Sequence, residues 1–265
     1  MIALFFTLLL GSSYFLLEQA ASSYTNLPFA FYQVVGALFL YRFLKTKKME
    51  NLLISAISLG LSAWTRPAAE PFFLACLLVL LIANFSWRKL LAPLIFLTTY
   101  LVLGYPWQIY VKYALKGIIY DVGWVAKHGS YAIAQHPQTF LNFSALGEIF
   151  QRLMSSLIDF RFYGAGGILF LLFIFLNWKS LKKEKHLSLL IFLNLSFWII
   201  FIFTLGAMSS FNPGWKIILH DSMGRVFLGI YPLLLFYVAK TDLVWEIFEK
   251  RKKDASNDAT FAKAK

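Results

Sequence analysis

LSAWTRPAAEPFF, Leu61 to Phe73, sets an arginine, a glutamate and two prolines inside an otherwise apolar run. Apolar residues continue for a helix length on either side. Read as one helix, the stretch would carry two charges and two helix-breaking prolines through a hydrophobic interior. Read as a turn, it lets Pro67 and Pro71 close one helix and open the next, while Arg66 and Glu70 meet water. The second reading buries no charge, and it fixes the topology of everything around it.

Working outward, the 265-residue chain is 59% apolar, carries 28 phenylalanines and has a mean hydropathy of +0.66. That balance, with many long uncharged runs, predicts an all-α integral membrane protein. Runs of bilayer length fall near residues 2–17, 28–44, 51–65, 69–86, 90–111, 162–178, 187–208 and 223–239, about eight transmembrane helices. None shows the alternating pattern of a membrane β-barrel. Residues 1–240 thus form a transmembrane domain, and 241–265 a basic, solvated tail. Met1 leads directly into IALFFTLLL, with no basic n-region and no small-residue cleavage site, so no cleavable signal peptide is expected. The single cysteine, Cys76, excludes an intrachain disulfide framework and a thiolate metal cluster.

A net charge of +12 could suggest nucleic acid, but its distribution points to topology. The clusters at Arg42–Lys48, Arg88–Lys89, Lys179–Lys185 and the tail from Lys240 share one side of the membrane. They hold 17 of the 25 lysines and arginines. Basic residues accumulate on the cytoplasmic side, so both termini are expected there. The tail is placed to meet anionic lipid headgroups, and no nucleic-acid partner is expected.

Four segments then face outward, of which 112–161 is the longest. Its second half forms one helical face from Phe143, Leu146, Ile149, Phe150, Leu153, Met154, Leu157 and Ile158. Glu148, Gln151, Arg152, Ser155 and Asp159 fall on the other. This predicts an interfacial amphipathic helix. It either packs across the mouth of the bundle or serves as a lid or platform over a lipid-facing site; periodicity fits both.

Soluble catalytic signatures are missing: no GxSxG, no HExxH, no glycine-rich phosphate loop and no Cys/His metal spacing. Outward polar residues at helix ends remain as candidates: Glu18, Asn26, Arg66, Glu70, Lys112, Lys127, His128, His220, Asp221 and Arg225. Arg225 opens the last span, where it either snorkels to the interface or points into a cavity. Arg66 and Arg225 are candidate ligands for a phosphate, which a guanidinium holds through paired donors. Glu70, Lys127, His128, His220 and Asp221 are candidate substrate contacts.

Three short motifs carry a family resemblance. Tyr24-Thr25-Asn26-Leu27-Pro28 precedes a span and a basic turn. The next span ends in Gly60-Leu61-Ser62-Ala63-Trp64-Thr65-Arg66-Pro67. Near the other end stands Gly224-Arg225-Val226-Phe227-Leu228-Gly229-Ile230-Tyr231-Pro232-Leu233. In this pattern the chain resembles the GT-C superfamily of polytopic glycosyltransferases, which includes the protein O-mannosyltransferases and the lipid A aminoarabinose transferases. The likeness spans most of the chain and leaves a divergent middle.

The resemblance implies transfer of a sugar from a polyprenyl-phosphate carrier to an acceptor, on the periplasmic or exterior face of a bacterial inner membrane. It also implies a catalytic carboxylate in an outward loop, acting as base or as ligand to a divalent metal. Two departures bear on activity. The family's opening helix pair, with its acid-bearing loop, has no counterpart, so the chain reads as starting at what would be the third helix. The usual Asp of the Tyr-x-Asp-Leu-Pro loop is Asn26, which cannot act as a carboxylate base. Glu18 is the one carboxylate nearby, either a helix-end charge or a substitute for the missing acid. Full catalytic activity is therefore not expected. A non-catalytic polyprenyl-phosphate-binding partner is the first rival reading. A transporter or flippase is the second, disfavoured because the ionisable residues sit at span ends rather than at the midplane.

Overall fold

The structure, a computed structural model, describes residues 26–65, 69–83, 90–113, 143–159, 165–176, 185–186, 188–194, 196 and 231–239. Every regular element among the described residues is an α-helix, so the fold is all-α. The helices are α1 (Asn26–Thr46), α2 (Met49–Thr65), α3 (Ala69–Ala83), α4 (Leu91–Tyr113), α5 (Phe143–Ile158), α6 (Ala165–Leu176) and α7 (Tyr231–Ala239). Residues 188–194 are also helical. The expected span at 2–17 lies outside the described residues, as do most of 187–208 and the start of 223–239.

The opening motif resolves as a break between helices. α2 stops at Thr65 and α3 begins at Ala69. Pro71 sits in the first turn of α3, where its missing N–H breaks no helical hydrogen bond. At the other end of α2 the chain reverses within two residues, Lys47 and Lys48. Lys47 takes a left-handed backbone (φ 58°) and its N–H donates to the Phe43 carbonyl at 2.7 Å. The Thr46 hydroxyl donates to the Arg42 carbonyl and accepts from Asn51 Nδ2, which ties both helices to the turn. α1 and α2 are thereby an antiparallel hairpin.

That hairpin packs closely. The Ser55 hydroxyl donates to the Gly36 carbonyl at 2.6 Å, and a Cβ placed on Gly36 would come within 2.6 Å of Leu59. α4 then lies on α2 in a parallel sense, because Gly60 meets Tyr100 and Leu103, Ala63 meets Gly104, and Trp64 meets Leu103 and Trp107. Small residues at Gly60, Ala63 and Gly104 let the two backbones come this close. α3 runs back antiparallel to both, and Phe73 stacks on Tyr100 (ring centroids 3.6 Å) and Phe96 (5.3 Å). α7 joins α1 through an edge-to-face contact of Tyr41 with Phe236 and also packs on α6, which in turn touches α5.

Phe29, Leu40, Leu52, Leu59, Phe72, Phe96 and Tyr231 form the buried centre. The outside is apolar too: Val102 is 71% exposed, Phe192 66%, Leu91 64% and Phe31 62%. Within α1, Leu27–Thr46 is long and apolar enough to cross a membrane by length and composition. Its 20 residues extend about 30 Å, the thickness of a bilayer's hydrocarbon core. Ala69–Ala83 and Leu91–Trp107 are apolar but shorter.

Helix α5 occupies the region where an amphipathic helix is expected. Ile149 is buried and Met154 packs against the core, whereas Phe150 and Ile158, from the same apolar face, are exposed. Among the described side chains of that face, the bundle thus covers Ile149 and Met154 and leaves Phe150 and Ile158 open.

Candidate functional site

The directions of the first four helices gather specific residues at one end of the bundle. The start of α1, the end of α2, the start of α3 and the end of α4 all lie there. Asn26 opens α1, so it belongs to that helix's first turn rather than to a preceding loop. Arg66 lies between Thr65 and Ala69, outside the described residues, with its flanking helix ends at this same end of the bundle. Glu70 stands in the first turn of α3, exposed, near enough to Tyr100 for the two to interact electrostatically. Glu18, Lys127, His128, His220, Asp221 and Arg225 lie outside the described residues.

A ladder of aromatic rings builds the wall of this end. Trp64 stacks on Trp107 with centroids 5.3 Å apart and planes at 12°, and Trp107 stacks on Tyr110 at 5.6 Å. The Trp64 indole N–H donates to the Leu103 carbonyl at 2.6 Å, which fixes the ring against α4. Pro106 lies inside α4 just beyond this point. It has no N–H for the Val102 carbonyl and so loosens the helix beside the carbonyl that Trp64 grips. Trp64, Tyr105, Tyr110 and Tyr113 are all exposed, and Trp107 is half-buried. Amphipathic rings of this kind suit a boundary between apolar and aqueous surroundings.

Beneath the ladder the interior holds neutral polar groups. Asn51, Ser55, Ser58 and Ser62 form a buried seam along one face of α2, spaced by four, three and four residues. Ser55 bonds across to α1, and the Ser62 hydroxyl donates back to the Leu59 carbonyl. Gln33 of α1 is fully buried, and neither atom of its carboxamide has a hydrogen-bond partner. The Tyr100 hydroxyl is buried without one as well. Leaving such groups unsatisfied costs about 1–3 kcal/mol each, so these are the interior positions best able to take up an additional polar atom. A reading centred on charge passes over this seam, although its helical spacing is visible in ISAISLGLS.

Among the described residues no group of three or more His, Cys, Asp or Glu side chains comes together to hold a metal ion. Comparisons of the chain with family models, with curated proteins and with solved structures each returned no match.

Proposed function

We propose that this chain is a polytopic membrane protein of the glycosyltransferase type, one that engages a polyprenyl-phosphate-linked sugar at the aromatic end of its bundle. One observation carries the reading: the helix directions that bring Asn26, the ends flanking Arg66, and Glu70 to a single end. The two motifs that suggest the GT-C resemblance in the first half of the chain meet there, beside rings suited to a membrane boundary. In this reading the polyprenyl chain stays among the apolar outer side chains, and Arg66 and Arg225 hold the phosphate through paired N–H donors.

The orientation has its own support. The α1–α2 turn, with Arg42, Lys45, Lys47 and Lys48, lies at the end opposite the aromatic ladder, and Arg88–Lys89 precedes the start of α4 at that same end. A basic end facing the cytoplasm turns the aromatic end outward, toward the periplasm if the membrane is a bacterial inner membrane. About eight spans, cytoplasmic termini and α5 lying in the outer interface complete the proposed topology. The open part of the α5 apolar face supports contact with lipid there.

Arg66→Ala and Arg225→Ala should each weaken binding of a polyprenyl-phosphate sugar by the purified protein at least tenfold, the loss expected when a charge-assisted hydrogen bond worth about 1.5–3 kcal/mol is removed. Unchanged binding by natively folded variants would eliminate the phosphate assignment. A second reading, a non-catalytic lipid-sugar-binding partner, is favoured by Asn26 at the position where the resemblance implies an acid. Tight binding with no sugar transfer to any acceptor hydroxyl would select it.

A further inference from the structure

We propose that the turn joining α1 to α2 is a binding site for the phosphate of an anionic phospholipid, at the end of the bundle away from the aromatic ladder. The inference rests on the membrane-spanning reading of α1. Four cations, Arg42, Lys45, Lys47 and Lys48, fall within seven residues, all exposed, and the nearest carboxylate along the chain is Glu50 in the first turn of α2. They stand where a helix long enough to cross the hydrocarbon core ends, which is the level of the headgroup phosphates.

Their placement is organised from below. The Arg42 guanidinium lies 6.0 Å from the Phe39 ring centroid, Lys45 Nζ 4.9 Å from that of Tyr41, and Lys47 Nζ 5.6 Å from that of Phe43. Tyr41 and Phe43 are buried, so these stems run over apolar rings while the charged heads reach the boundary. The Thr46 hydroxyl, which donates to the Arg42 carbonyl and accepts from Asn51 Nδ2, ties the turn to both helices.

The backbone supplies an independent argument. Lys47 occupies the left-handed conformation that ends α1, a position where glycine is the unstrained choice. The chain holds a lysine there despite the strain, and a headgroup phosphate gives that charge a role.

The test uses the full chain, purified with its lipids, and native mass spectrometry to compare retention of phosphatidylglycerol and phosphatidylcholine. The wild type should retain phosphatidylglycerol in preference. Each neutralised charge should lower that preference about fivefold, as expected for a cation near an anionic surface. Lys45→Gln and Lys48→Gln report side-chain charge. Lys47→Gly should lose lipid while its thermal midpoint in detergent holds or rises, which separates lost binding from lost folding. Neutralising Lys116, in the outward segment 112–161, should leave the preference unchanged. Equal losses from the Lys116 and turn variants would overturn the proposal, as would a turn variant with wild-type preference. Soluble glycerol phosphate stabilising the protein as well as phosphatidylglycerol would overturn it too. Alkaline carbonate washing of the source membranes keeps the two readings apart: release of the chain would defeat the spanning reading, whereas retention with no lipid preference would defeat this site alone.

Discussion

Replacing Gly60 with alanine tests the seat of α4 on α2 most directly. The new Cβ would stand 2.9 Å from the Leu103 Cβ, an atom fixed to the backbone that no rotamer change can move aside. The helices must therefore part, and forcing extra volume into a packed interior costs about 1–3 kcal/mol. Alanine returns about 0.5–1 kcal/mol over glycine inside a helix, leaving a net loss of up to about 2.5 kcal/mol. Two sites calibrate that figure. At Gly104 the added carbon meets Ala63 Cβ at 3.2 Å, so a small adjustment offsets the gain and the change is close to neutral. At Gly147 it meets nothing within 4 Å, and stability rises by about 0.5–1 kcal/mol. Unfolding in mixed micelles of rising SDS fraction, followed by circular dichroism, measures all three. Should Gly60→Ala prove as stabilising as Gly147→Ala, the α2–α4 contact would not exist in this form.

Three further changes probe other parts of the molecule. Gln33→Met removes two buried polar atoms that have no partner and should stabilise the folded chain by about 1–3 kcal/mol in the same titration; a loss of similar size would mean that Gln33 has a partner. Trp64→Phe deletes the N–H bonded to Leu103 but keeps a ring on Trp107, so a loss of about 0.5–1.5 kcal/mol is expected, and an unchanged midpoint would count against that bond. A cysteine at Lys127 should react with an impermeant maleimide from outside intact cells, and labelling only after lysis would reverse the proposed orientation.

The helices were legible wherever apolar length and proline agreed. Pro67 and Pro71 marked the α2–α3 break, and Arg42–Lys48 marked the α1–α2 turn, because charge and proline act on the local chain. The packing partners were not legible. Gly60 and Gly104 are far apart in sequence; the alternation of spans makes α2 and α4 run the same way, but no local pattern says that these two will pack against each other. The left-handed backbone at Lys47 has no local signature either, since a glycine or asparagine is the residue that announces such a turn. At the candidate site, Arg66 and Glu70 could be assigned to a helix boundary from sequence, because charge avoids the interior. The buried Gln33 and the serine seam could not be weighed, because neutral polar groups carry no such constraint and their burial depends on neighbours from other helices.

The parallel seating of α2 and α4 constrains the order in which the chain can assemble. α1 and α2 meet across a two-residue turn and can pair as soon as both have emerged, whereas Gly60 and Ala63 must wait until α3 has been threaded and Gly104 arrives. Until then α2 displays a narrow strip of glycine, alanine and serine to its surroundings. Any helix with a similar strip can dock there by backbone proximity alone. On the membrane-spanning reading, synthesis halted before α4 would leave a nascent chain adhesive along that one edge, giving a chaperone or a neighbouring copy a defined place to hold it.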